Sequence, residues 1–165
     1  MSVASKAKIF AGNEYAMNLR LPTHITHEDA LRAVKASFEA LGFGLPSGTT
    51  DMDMADVLEK KGFICGPCKK YSVLGFCSPS HASRALTIEP AIGLLLPCNV
   101  AVTTTPDGVV EVAAMDPTMM IGIVNKKDEL KPLMEEVRRL IKDAMEAVAT
   151  SCRITEGKEG LEKNT

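Results

Sequence analysis

The feature that most constrains the fold is an apolar run at residues 93–102, which reads Gly-Leu-Leu-Leu-Pro-Cys-Asn-Val-Ala-Val. It is the most apolar stretch of the chain, and Cys98 lies in its middle. A second run at residues 71–76, Tyr-Ser-Val-Leu-Gly-Phe, is followed directly by Cys77. Short apolar runs of this kind are typical of buried strands. We therefore predict two neighbouring buried strands, each carrying a thiol.

Composition places the chain among ordinary globular proteins. Its 165 residues suit one domain that buries roughly two-thirds of its unfolded surface. A net charge of -2 provides no basic face for nucleic acid, and 4% aromatic residues with no Trp provide no base-stacking platform. The G-x-S-x-G, G-x-G-x-x-G, H-E-x-x-H and P-loop motifs are absent from the sequence. We therefore predict no nucleic-acid partner and no cofactor.

The sequence also bears on the compartment. No apolar run reaches the roughly 18 residues that a membrane span needs, and the first ten residues lack the apolar segment of a secretory signal. We therefore predict a cytoplasmic protein with no membrane partner. Thiols stay reduced in that compartment, and five Cys, an odd number, argue against a complete set of internal disulfides.

Turn residues and hydrophobic periodicity divide the first part of the chain into elements. Residues 1–13 are predicted to be a flexible lead-in, and residues 14–150 a single α+β domain. A first strand ends at Pro22, and Thr26 with Asp29 three residues later forms the capping-box pattern that begins a helix.

The later elements follow from the same signals. Ser78 before Pro79 predicts a helix start, with the Ser hydroxyl accepting from first-turn amides. The long helix after about residue 128 shows one broad apolar face, and residues 151–165 are predicted to be a disordered charged tail. The other segments are short helices at 51–61 and 79–88, strands at 71–77, 94–104 and 109–114, and a short strand or packed turn at 119–124.

These elements indicate an α+β fold with a mainly antiparallel sheet and helices on one face. Residues 77–100 also resemble a known family: they contain Cys-Ser-Pro, a helix with small residues, and Leu-Leu-Pro-Cys-Asn before a strand. The resemblance is to domain-of-unknown-function family 302, small proteins mainly of bacteria and archaea. The hairpin with its Asp-Gly turn and the segment from Asp116-Pro117 to Met119 also match, so the resemblance extends from about residue 15 to about residue 148.

The resemblance implies a two-layer fold with a curved, mainly antiparallel sheet of the TATA-box-binding-protein-like type. The implied order is strand-helix-four strands-helix, here with extra short helices. It also implies a homodimer, and it implies no activity. The chain departs from the family pattern at Ser78, where Asn is usual, and in its additional Cys65-Gly66-Pro67-Cys68 loop.

Two thiols form the first candidate site. Cys77 precedes the start of a helix, where the helix dipole would lower its pKa, whereas the apolar surroundings of Cys98 favour the neutral thiol. Together they would form one activated and one resolving thiol. The alternative is that both are small hydrophobic core residues, as free Cys commonly is.

The Cys65-Gly66-Pro67-Cys68 loop is the second candidate. Cys65 and Cys68 have the spacing of a redox pair, but the motif follows a short helix and precedes a strand, unlike the thioredoxin arrangement. An inert turn, a surface disulfide and half of a metal site remain as alternatives. Joined by Cys77 and Cys98, the pair could form a four-thiolate metal site, although the spacing does not match a zinc ribbon.

We therefore predict a protein that binds a small ligand, or depends on a thiol, at a site around Cys77 and Cys98. The predicted ligand-binding residues are Cys77, Ser78, His81, Cys98 and Asn99. The alternatives are a homodimeric interaction module with structural cysteines and a thiolate metal-binding protein. His24 and His27 are expected to face solvent, and Cys152 is expected to be exposed.

Overall fold

A six-stranded antiparallel sheet carries the architecture of the computed structural model, which describes residues 8–13, 15–46 and 52–162. The strands are β1 (Lys8–Asn13), β2 (Ala16–Arg20), β3 (Met52–Asp53), β4 (Lys70–Phe76), β5 (Cys98–Thr104) and β6 (Val110–Met115). The helices are α1 (His27–Glu39), α2 (Met54–Glu59), α3 (Pro79–Ile88) and α4 (Lys127–Glu162), with 3-10 helices at Pro90–Leu95 and Pro117–Gly122. The strand order across the sheet is β1-β2-β6-β5-β4-β3.

One face of the sheet is buried under α1 and α4. The strands alternate as a half-buried sheet requires: in β5, Cys98, Val100 and Val102 are buried, whereas Asn99 is exposed on the opposite face. α1 begins as predicted, because Thr26 and Asp29 exchange the two hydrogen bonds of a capping box. The α+β prediction is confirmed, with a curved, open antiparallel sheet, and the order from β2 to α4 is strand-helix-four strands-helix.

Two predicted strands differ from the structure. The apolar run does not begin its strand at residue 94: Leu94 lies in a 3-10 helix with 88% of its surface exposed, and the strand begins at Cys98. Pro97 has no amide hydrogen for a β ladder, so pairing starts only after it. Of the two alternatives for residues 119–124, the strand is wrong and the packed turn is closer to the structure, because Asp116 accepts from the amide of Thr118 and begins a 3-10 helix there.

Both ends of the described chain are more regular than predicted. Residues 8–13 of the expected lead-in form β1, which pairs with β2, and residues 1–7 lie outside the described residues. α4 continues through residues 151–162 of the expected disordered tail, a stretch without Pro, and residues 163–165 lie outside the description. Cys152 on this extension is buried in the main core and is not exposed as expected.

The apolar side chains form two clusters. The larger lies between the sheet and the helices α1 and α4. The smaller joins α3, the two 3-10 helices and the first part of α4, through residues such as Ala85, Met120 and Leu133. Within the described part of the chain, no helix combines the length and the apolar character that crossing a membrane requires.

Candidate functional site

A cavity of about 50 Å³ lies where the two apolar clusters meet. Its walls are mostly apolar, and they include Phe43 and Phe76 from the larger cluster and Met120, Leu133 and Met134 from the smaller. The polar lining comes from Cys77, Ser78, His81 and Cys98. The structure therefore brings four of the five predicted ligand-binding residues to one cavity.

The segment that runs from the end of β4 into the first turn of α3 carries three of these residues, Cys77, Ser78 and His81. Cys77 follows the last residue of β4 and forms a bridge with Gly44, each backbone amide donating to the other's carbonyl at 2.8 Å. Phe76 is paired with Cys98 in the β4–β5 ladder, so the two cysteines lie on adjacent segments one residue out of register. α3 starts directly afterwards, which places Ser78 and His81 on its first turn.

Asn99, the fifth predicted residue, does not join the cavity. Strand alternation directs it to the open face of the sheet, opposite Cys98. Its ladder partner there is Gly75, and a Cβ atom built on Gly75 would lie 3.7 Å from Asn99 Oδ1.

A chain of hydrogen bonds leads from the cavity toward the surface between α3 and α4. Ser78 Oγ lies 2.7 Å from His81 Nδ1, and His81 Nε2 lies 3.1 Å from Glu136 Oε1. Arg84 donates to the other oxygen of Glu136 at 3.0 Å. Ser78 is the N-terminal cap residue of α3, but its side chain does not cap the helix as predicted; its hydroxyl contacts His81.

The expectation of an activated Cys77 is wrong in direction. Burial raises the pKa of the Cys77 thiol above its ordinary value, because desolvation disfavours the thiolate. For Cys98 the preference for the neutral thiol is confirmed: burial, with a smaller contribution from nearby Cys77, raises its pKa to about 11. Both thiols are therefore neutral at pH 7.

Alkylation rates measure how reactive the two thiols are at a given pH. In the folded protein at pH 7 we expect iodoacetamide to label Cys77 slowly and Cys98 hardly at all, because only the thiolate reacts. Labelling of Cys98 should become appreciable only as the pH approaches 11. Mass spectrometry of quenched samples gives the two rates, with urea-unfolded protein as the control. Rapid labelling of Cys77 at pH 7 would contradict the burial argument.

The second candidate pair lies elsewhere. Cys65 and Cys68 close a turn in which the Cys68 amide donates to the Cys65 carbonyl at 3.3 Å. This turn precedes β4, whereas Cys77 follows it, and a seven-residue strand separates the two ends by roughly 20 Å. The four-thiolate metal site is therefore ruled out by distance, and the described residues contain no group of three or more metal-ligating side chains.

Burial raises the pKa of Cys65, with smaller contributions from Cys68 and the Asp53 carboxylate. The raised pKa of Cys65 gives the redox hypothesis no support, and a redox role of Cys65 and Cys68 stays a prediction.

The sequence did not predict two residues of the hydrogen-bonded chain, Glu136 and Arg84. Ser78 and His81 are three apart at a helix start, which predicts a shared side, but Glu136 and Arg84 read as ordinary surface charges. Glu136 reaches His81 only because α3 packs against α4, 55 residues further along the chain. No local signal in the sequence identifies that contact.

Known proteins provide a comparison for this architecture. The sequence model of a family described as "Domain of unknown function DUF302" matches residues 19–148. No curated protein matches the chain. Among solved structures, an uncharacterized conserved DUF302 protein from Bacillus stearothermophilus superposes with a TM-score of 0.69 at 20% identity. That match covers 85% of this chain and 99% of the other, and at this identity it shows a shared fold.

Proposed function

The chain belongs to the DUF302 family, whose function is unknown, and we propose that it binds a small, neutral, largely apolar molecule in the cavity beside Cys77 and Cys98. The single observation that carries this proposal is the composition of the cavity wall. Apolar side chains surround the space. The hydroxyl of Ser78 and the imidazole of His81 lie at the start of α3, and the two thiols lie just after β4 and at the first residue of β5. Ligand sites are typically apolar concavities with a few placed polar groups.

The size of the cavity limits the ligand. A cavity of about 150 Å³ accommodates benzene, so a cavity of about 50 Å³ accommodates a group of roughly two or three heavy atoms. A larger molecule would place only one end inside. Because the thiols stay neutral at pH 7, the polar lining favours an uncharged group that can hydrogen-bond to the Ser78 hydroxyl.

Methionine methyl groups can report on binding. Met120 and Met134 line the cavity, whereas Met17 and Met145 lie in the larger cluster away from it. The methyl and carbonyl groups of acetamide are three heavy atoms, about what the cavity holds, and its amide nitrogen would remain at the mouth. On titration with acetamide to the millimolar range, we expect the ¹³C-methyl signals of Met120 and Met134 to shift and those of Met17 and Met145 to stay. In Ala82→Leu, where the longer side chain occupies the cavity, the shifts should fall at least several-fold.

Ser83→Leu is the matched control, because Ser83 is the exposed neighbour of Ala82 on the same helix. It should leave the acetamide shifts unchanged. Equal shifts at all four methionines, or shifts that survive Ala82→Leu, would show that acetamide does not enter this cavity and would overturn the proposal.

The other hypotheses make different claims. A thiol-dependent reaction needs a thiolate at neutral pH, which the raised pKa of Cys77 disfavours. An interaction module with structural cysteines would show no cavity shifts with acetamide and would act through another surface, such as the open face of the sheet. The homodimer and the cytoplasmic location stay predictions.

A further inference from the structure

The Ser78–His81–Glu136 chain has the connectivity of a hydrolytic relay. A carboxylate is only an acceptor, so the 3.1 Å contact of Glu136 with His81 Nε2 assigns the imidazole hydrogen to Nε2. In the tautomer with its hydrogen on Nε2, Nδ1 carries the lone pair and accepts from the Ser78 hydroxyl at 2.7 Å, while the Ser80 hydroxyl lies farther from Nδ1, at 3.4 Å. Nucleophile, base and carboxylate are thus joined in the order that activates a hydroxyl, a pattern recognised by geometry and not by position in a sequence.

Simple helix capping does not account for this arrangement. A Ser at this position ordinarily accepts from the backbone amides of the first turn. Here the Ser78 side chain makes no capping hydrogen bond to α3. Ser80 and His81 are the second and third residues of this helix, so their amides are first-turn donors of the kind that can stabilise an oxyanion.

We propose that Ser78 is the nucleophile of an esterase site that cleaves esters of short, uncharged acyl groups, with His81 as the base and Glu136 as its orienting carboxylate. This inference rests on the proposed function, because the acyl group would occupy the same cavity. An acetyl group has three heavy atoms and matches the space of about 50 Å³. The alcohol portion of the ester would remain outside the cavity.

The reaction needs only the ester and water. Ser78 Oγ attacks the carbonyl carbon as its proton moves to His81 Nδ1, and the first-turn amides stabilise the oxyanion. The intermediate collapses, the ester C–O bond breaks, and the alcohol leaves with the proton from Nδ1, which leaves an acyl group on Ser78. Water then attacks this acyl group with its proton taken by Nδ1, and the carboxylic acid departs as the Ser78 hydroxyl is restored.

Hydrolysis of p-nitrophenyl acetate tests the relay. We expect the wild-type rate to exceed that of Ser78→Ala and of His81→Gln by roughly 100-fold or more, the usual contribution of acid–base catalysis. Glu136→Gln should be slowed as well, whereas Glu135→Gln on the exposed side of α4 should match the wild type. Acid-quenched samples should carry an acetyl group on Ser78, located by peptide mass spectrometry.

The position of the acetyl group separates the serine from its neighbouring thiols. It should be found on Ser78 and on neither Cys77 nor Cys98, with circular dichroism confirming that every variant folds. Hydrolysis that survives in folded Ser78→Ala, or an acetyl group found on Cys77, would overturn the relay. If acetamide still shifts Met120 and Met134 in that case, the binding proposal stands alone; if those shifts are absent too, both proposals fail.

Discussion

Replacement of Phe76 by Ala should lower the free energy of unfolding by about 3–5 kcal/mol, the usual cost of removing a buried phenyl ring. Phe76 is fully buried, and its ring stacks on Phe38 with centroids 4.4 Å apart, while Phe38 meets Phe43 edge-on at 5.5 Å. The loss would be a large share of the roughly 5–15 kcal/mol that stabilises a typical domain. Urea denaturation followed by circular dichroism measures it.

The same substitution should enlarge the candidate site. Phe76 forms part of the cavity wall, so the space of its ring would join the existing cavity, and the variant should bind benzene as other engineered apolar cavities do. Phe63→Ala removes the same atoms from an exposed position and should change stability by less than about 0.5 kcal/mol. A Phe76→Ala variant as stable as Phe63→Ala would contradict the packing argument.

The fold could be anticipated because its strongest signals are local. The capping box at Thr26 and the apolar runs of β4 and β6 depend on neighbours within a few residues, and the structure has a helix start and two strands close to where the sequence predicts them. Two strands that the sequence did not predict depend instead on pairing with a neighbouring strand. β3 has two residues and exists only against β4, and β1 exists as the ladder partner of β2. The two residues of β3 are too few to show any period.

In the candidate site, too, local signals predicted some features and the assembled fold decided the others. Cys77 and Cys98 could be placed together because adjacent strands carry them, and Ser78 and His81 because a helix start does. The predicted lowering of the Cys77 pKa is wrong because burial is a property of the assembled fold, and desolvation raises this pKa. The prediction that His27 faces solvent is wrong for the same reason. This residue occupies the first turn of α1 but is buried against the sheet.

His27 forms a buried polar contact in the larger cluster. Its Nδ1 lies 2.9 Å from Thr104 Oγ1 and its Nε2 lies 2.9 Å from Ser72 Oγ, on two neighbouring strands. Desolvation, then the positive charge of Lys70, lowers the pKa of His27 below 6.5, and the carboxylates of Glu28 and Asp53 oppose this shift only in part. The folded protein therefore keeps the imidazole neutral at a pH where the unfolded chain binds a proton.

This difference makes the protein less stable in mild acid. The unfolded state binds more protons than the folded state below pH 6.5, so stability should fall as the pH drops from 6.5 to the folded pKa of His27. The slope is at most about 1.4 kcal/mol per pH unit for one proton. His27→Gln keeps a donor and an acceptor between Ser72 and Thr104 without titrating, and urea midpoints at pH 7.5 and pH 5 should show a smaller difference than in the wild type. Because His24 is exposed, His24→Gln should keep the wild-type difference, and an equal effect of the two substitutions would refute the role of His27 burial.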